Sequence, residues 1–222
     1  MPENTSIVIK EGTKGIAGGA FQNCSNLTSI SMPEGVITIV GNAFYGCSNL
    51  KSINLPESLT SIGYYAFQGC SSLTSVTIPE GVTSIGYNAF ASCSGLALVA
   101  VAAGNSTFDS RNNCNAVIET ATNTLTVGCK NTVIPNGVTS IGMSAFQGCS
   151  DLTSIIVEAG NTKYDSRNNC NAIIETISNT LIAGCQYTII PNSVTSIGDL
   201  AFFDCFGLTS VTIPNSVTSI GK

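Results

Sequence analysis

The 222-residue chain has no histidine and no tryptophan, and only 9% of its residues are charged. Without histidine, a serine or cysteine nucleophile lacks its commonest activating base. The ten cysteines include no Cys-x-x-Cys pair, so the usual zinc-ligand spacings are missing as well. No glycine-rich phosphate loop follows a strand in the required way. Carboxylates occur mostly singly in repeated Pro-Glu turns, at Glu34, Glu57 and Glu80, which reads as solvated rather than catalytic. The chain is therefore expected to be no enzyme and to hold no cofactor and no metal. With 8 Lys plus Arg against 13 Asp plus Glu the formal charge is −5, and the basic residues stand apart, which argues against nucleic acid. The longest apolar run, Leu96 to Ala103, is far short of the roughly 20 residues a membrane span needs.

What the chain has instead is a period. Cys24, Cys47, Cys70 and Cys93 fall 23 residues apart, each preceded by Ala-Phe and followed by Ser, a spacer and Leu. The end of the Ile-Pro-type strand is a sharper ruler, at Ile9, Met32, Leu55, Ile78, Val101, Ile134, Val157, Ile190 and Ile213. Its steps are 23 residues except in 102–134 and 158–190, where they are 33. Asn105 to Cys129 and Asn161 to Cys185 are copies of one another, so the second half repeats a composite of one short and one long unit. Matching apolar anchors give each unit an oily edge that only a neighbour can cover, which predicts a solenoid of nine rungs. The unbroken period leaves no room for a linker, so residues 1–222 read as one elongated domain. Met1-Pro2-Glu3-Asn4 leads straight into a repeat strand, with no signal peptide, and no polar capping unit stands at either end. The expectation is a segment truncated at both ends of something longer.

Within one unit, Leu73, Val76 and Ile78 should face the core while Ser75 and Thr77 point outward from a short strand of a parallel sheet. Pro79 lacks the N–H that a continuing ladder needs and ends that strand. Val82 and Ile85 should return to the core, with Gly86 offering a positive φ, and Ala89-Phe90 suits a short helical or 3-10 turn on the outer wall. Phe21, Phe44, Phe67, Phe90, Phe146 and Phe202 are expected to stack as a spine. The long units lack the Ala-Phe turn. There, Ala116 to Thr120 and Thr124 to Val127 flank a polar break and predict a hairpin, repeated over Ala172 to Ala183.

Units of the form C-S-x-L-T-S-[IV]-x-[IL]-P-x-[GS]-V-T-S-I-G-x-x-A-F resemble BspA-like leucine-rich repeats over essentially the whole chain. The resemblance implies an α/β solenoid, mainly β: a right-handed leucine-rich repeat superhelix with a parallel sheet on one face, short turns on the other and two inserted hairpins. It also implies a cell-surface or secreted protein of a host-associated microbe that adheres to protein partners, such as host extracellular-matrix or cell-surface proteins. Val101-Ala102 and Val157-Glu158 replace the Ile-Pro step, each directly before a long unit.

The repeated cysteines read as a buried thiol ladder, since their parallel Cβ vectors suit disulfides poorly. Cys114 with Cys129, and Cys170 with Cys185, flank the hairpins and admit either a disulfide or two packed thiols. Asp109-Ser110-Arg111-Asn112-Asn113 and its copy Asp165 to Asn169 could be calcium-binding oxygens, or turns whose Asp and Asn bond local backbone while Arg covers the hairpin base. On the outward sheet columns the first rungs are small and polar, whereas Leu98, Ala100, Val133, Ile156, Tyr187 and Ile189 gather later. These six are the candidate partner-binding residues, unless the hairpins fold over them as core. A structural spacer that displays another domain is the alternative function. Glycan binding has few stacking platforms, with no Trp and 6 Tyr.

Overall fold

The computed structural model describes residues 4–150 and 152–222, and the reading of Met1 to Glu3 lies outside them. The chain is a mainly β solenoid of about nine turns. The predicted strand forms in seven of the nine units and pairs in parallel at the 23-residue offset within three short ladders, Thr5–Val8 with Leu27–Ser31 and Ser52–Ile53, Ser75–Ile78 with Leu98–Val101, and Val133–Ile134 with Ile156–Val157. The units ending at Ile190 and Ile213 follow the same path without a strand. Leu73, Val76 and Ile78 are buried and Thr77 is exposed, so alternation sets the two faces. The strand ends at Ile78, directly before Pro79.

A second parallel sheet accompanies the first. The Ser-Ile step of each unit, at Gly15–Ile16, Thr38–Ile39, Ser61–Ile62 and Ser84–Ile85, forms a four-stranded ladder that the sequence reading gave only as core contacts. The glycine after that Ile also has a different reason from the one expected. Gly86 does not adopt a positive φ; a Cβ on it would lie 2.3 Å from the Tyr64 backbone nitrogen, so the position is one of close approach between rungs. Positive φ falls instead at Asn88 and Ser92. These left-handed residues keep the Ala-Phe segment a run of turns, with Ala89 N–H bonded to Gly86 O and Ala91 N–H to Asn88 O. Among the described residues 3-10 helices occur elsewhere, at Arg111–Asn113 and Arg167–Asn169 in the long units.

Four of the six phenylalanines stack. Phe21, Phe44, Phe67 and Phe90 lie with successive centroids 5.2 Å apart and planes within 12° of parallel, an offset arrangement suited to the ring quadrupole. Phe146 and Phe202 do not join them. Each lies over a glycine that the long unit puts in the phenylalanine position, Gly128 and Gly184, where a Cβ would come within 2.4 Å and 2.3 Å of the ring. The hydrogen bonds confirm that register. Cys47, Cys70 and Cys93 donate their thiols to Phe21 O, Phe44 O and Phe67 O at 3.0, 3.3 and 3.2 Å, and Cys205 makes the same bond to Gly184 O at 3.5 Å.

The hairpins form as expected, Val117–Glu119 against Thr124–Val127 and Ala172–Glu175 against Thr180–Gly184. They do not fold outward. Val117, Ile118 and Leu125 are fully buried, and the hairpin joins Phe108–Asp109 on one side and Ser140–Ile141, in parallel, on the other, in a separate four-stranded sheet that continues the core. Phe67→Ala, which removes a fully buried ring with a neighbour on each face, is expected to lower unfolding free energy by about 3–5 kcal/mol. Urea titration measures this, and a loss below 1 kcal/mol would mean that the rungs hold without their rings.

Candidate protein-interaction surface

The candidate surface is built on the outward face of the first sheet. Strand alternation there forces every second residue to water, and the outward columns contain no buried residue, from Val8, Ser31, Asn54 and Thr77 through to Thr212. Leu98, Ile156, Tyr187 and Ile189 are 52%, 50%, 61% and 71% exposed, and Ala100 and Val133 are half-buried. The hairpins therefore leave the four large side chains Leu98, Ile156, Tyr187 and Ile189 open to solvent.

They do divide the surface. The chain entering each hairpin is wedged between strands of the first sheet: Ser110 Oγ accepts the Val101 amide at 3.0 Å, and Val133 donates to Cys114 O at 3.0 Å. Ser166 and Cys170 repeat these bonds with Val157 and Ile189. The apolar residues thus form three groups, at Leu98 and Ala100, at Val133 and Ile156, and at Tyr187 and Ile189. Between the groups come the exposed pairs Asn112-Asn113 and Asn168-Asn169, all with positive φ. A continuous column, as the strand ruler alone suggests, is not what the fold delivers.

The Asp-Ser-Arg-Asn-Asn segments account for this wedge. Arg111 Nη2 and Nε donate to the Asp109 carboxylate at 2.6 and 2.9 Å, the Arg111 amide adds a third bond to it, and Arg111 Nη1 reaches Asn123 Oδ1 at the hairpin tip. The carboxylate is occupied by its own arginine, which latches the base of the hairpin to its turn. Arg167, Asp165 and Asn179 do the same in the second copy. The turn reading of these residues, rather than the calcium reading, describes their geometry. Glu34 also has a role that the sequence reading missed: its carboxylate accepts the amides of Glu57 and Ser58 in the next rung.

In the early rungs the hydroxyls serve the solenoid itself. Ser6 and Ser29 bond each other at 2.7 Å, and Thr28 Oγ1 donates to Thr5 O. All ten cysteines are free thiols, including Cys114, Cys129, Cys170 and Cys185. Burial pushes the Cys47 and Cys149 thiols up to about 12 and those of Cys114 and Cys205 to about 11, and raises Cys70 and Cys93 further.

Such thiols stay protonated in the fold, whereas in the unfolded chain they ionise near about 8.5. Stability is therefore complete below that pH and is lost as pH rises toward the folded values, because the unfolded state sheds protons that the folded state keeps. Urea midpoints are expected to be level from about pH 6.5 to 8 and to fall from about 8.5 to 11. Cys70→Ala should reduce the slope by about 1.4 kcal/mol per pH unit. A midpoint level to pH 11 would place these thiols in water.

The family model described as "BspA type Leucine rich repeat region" matches in six copies, over residues 3–119, 118–183 and 175–222. No curated protein matches the chain. The structure is similar to that of a leucine-rich cell surface protein from Faecalibacterium prausnitzii, at 29% identity and a TM-score of 0.55, covering 100% of this chain and 66% of that one. It also shares its fold with the pneumococcal vaccine antigen PcpA, at 18% identity and a TM-score of 0.57, covering 97% of this chain and 62% of the antigen. The chain thus spans about two thirds of the length of each of these proteins. With the family model matched along nearly all of its residues, the chain belongs to the BspA-type leucine-rich repeat family.

Proposed function

We propose that this chain is a non-catalytic module of a cell-surface or secreted protein that adheres to host or neighbouring-cell proteins through the outward face of its first sheet. The observation that carries this reading is the exposure of Leu98 and Ile156 on strands whose opposite side is core, and of Tyr187 and Ile189 at the matching positions of a later turn of the solenoid. Large apolar side chains held open on one face of the solenoid and bordered by amide side chains have the composition of a protein interface. The cell-surface description of the Faecalibacterium prausnitzii protein supports the location. Its partners are proteins such as those of the host extracellular matrix, met by three apolar groups separated by Asn pairs.

The spacer reading draws on the early rungs, where the hydroxyls of Ser6, Ser29 and Thr28 are already engaged within the solenoid. Surface plasmon resonance on immobilised matrix proteins separates the two. Saturable binding that Ile156→Ser with Ile189→Ser weakens at least about tenfold, the loss of roughly 1.4 kcal/mol, supports adhesion. The same variant should melt within a few degrees of the parent, since both side chains are already exposed. Absence of saturable binding across a matrix panel would favour the spacer.

A further inference from the structure

In the regular part of the outer wall, amides alternate between two tasks. Ala43, Tyr45 and Cys47 close turns inside their own unit, while Asn42, Phe44 and Gly46 donate to Tyr64 O, Ala66 O and Gln68 O of the next. Tyr65, Phe67 and Gly69 repeat this toward Tyr87 O, Ala89 O and Ala91 O. At the first long unit the ladder breaks. Ser92 still reaches Gln147 O at 2.8 Å, but the amides of Asn88 and Phe90 have no acceptor among the described residues. The Ala145 carbonyl that Phe90 would meet is taken by Gly128, at 2.8 Å, as the chain leaves the hairpin.

The break leaves a wedge of about 230 Å³ between the two turns. It is shut at the Ser92–Gln147 bond and rimmed by exposed Tyr87 and Met143, and it is lined by Phe90, Ala145, Thr126 and Val127. The side-chain oxygen of Asn88 is buried there with no hydrogen-bond partner. No Asp, Glu, Lys or Arg lines the wedge among the described residues.

Two N–H donors two residues apart, with a carbonyl oxygen beside them, are the hydrogen-bonding complement of an extended backbone, which offers C=O and N–H groups in alternation. An anion would meet the donors but be repelled by the Asn88 oxygen, and a cation would find no carboxylate. Burying a charge here would go uncompensated, whereas a peptide would satisfy donors and acceptor together. We infer that this wedge binds an extended, uncharged segment of a partner polypeptide. Its carbonyls accept from the Asn88 and Phe90 amides, its N–H donates to Asn88 Oδ1, and a small apolar side chain enters between Phe90 and Ala145. The site is on the outer wall, away from the sheet face, and does not depend on adhesion through that face.

The second long unit supplies an internal contrast. There the Ser144 and Phe146 amides also lack acceptors among the described residues, but the opening is about 110 Å³ and is lined by Asp199 and Asp204. It should not take the same segment.

The test is an NMR titration of ¹⁵N-labelled protein with the neutral peptide acetyl-Thr-Ala-Val-Ala-Thr-amide. Saturable shifts at Asn88, Phe90, Thr126 and Val127 are expected, with Leu200 and Phe203 unmoved, together with at least about tenfold slower hydrogen exchange of the Asn88 and Phe90 amides at saturation. Asn88→Gly, which keeps the positive φ and deletes the oxygen, should weaken binding about fivefold. Asn88→Asp, which keeps the shape and adds charge, should weaken it at least as much. Amides of Asn88 and Phe90 that stay unmoved up to about 10 mM peptide would overturn the inference. So would N-acetylglucosamine shifting them in the peptide's place, or self-association of the protein protecting them with no peptide present.

Discussion

Everything in this structure depends on one rung closing the exposed edge of the one before it. A single 23-residue unit cannot bury its own Leu, Val, Ile and Phe, and its backbone cannot satisfy its own donors. Stacking solves both at once. The Phe67 ring is sandwiched by its neighbours in the spine, the Cys70 thiol donates to the Phe44 carbonyl, and the Gly46 amide crosses to Gln68. Because the same positions do the same work in each unit, the period itself is a record of the contacts, and a change at one rung is felt by two others.

The long units meet that constraint with different parts. Gly128 and Gly184 stand where a phenylalanine would be, freeing the space that the Phe146 and Phe202 rings fill, and the hairpin's own Val117, Ile118 and Leu125 supply the missing apolar volume. Hydrogen bonding is repaired on the first sheet by Ser110 and Ser166, whose hydroxyls stand in for strand carbonyls toward Val101 and Val157. Those two strands also depart from the Ile-Pro ending for a visible reason: the residues in the proline position, Ala102 and Glu158, donate their amides to Ile78 O and Ile134 O, which a proline could not do.

Legibility in the sequence tracks how local the cause is. The period, the inward and outward faces of Ser75 to Ile78 and the hairpins follow from spacing and propensity, and all are present. The second sheet was not legible, because two-residue strands such as Ser61–Ile62 have no pattern of their own and exist only by pairing with the rungs beside them. The same holds for Gly86, whose reason is the Tyr64 backbone one rung away rather than its own φ. Of the six outward residues four are exposed and Ala100 and Val133 half-buried, and their division into three groups was not legible, since that depends on where the hairpin entry chain is wedged. Asn88 and Phe90 gave no signal at all: in sequence they match Asn42 and Phe44, and they differ only in what lies on the next rung.

That last comparison locates function in a repeat protein of this kind. Regular rungs consume their own polar groups, so the surface of the early units, however rich in hydroxyls, has little left with which to grip a ligand. Departures from the period do the opposite. Each long unit removes one turn of the outer wall and splits the first sheet, exposing on one side amides with no acceptor among the described residues and on the other apolar side chains set apart by Asn pairs. Both candidate surfaces thus originate in the same 33-residue units. A duplicated composite of short and long units multiplies such surfaces without altering the core that supports them, and the neutral lining of the first wedge against the acidic lining of the second shows that the two copies have already diverged where they meet solvent.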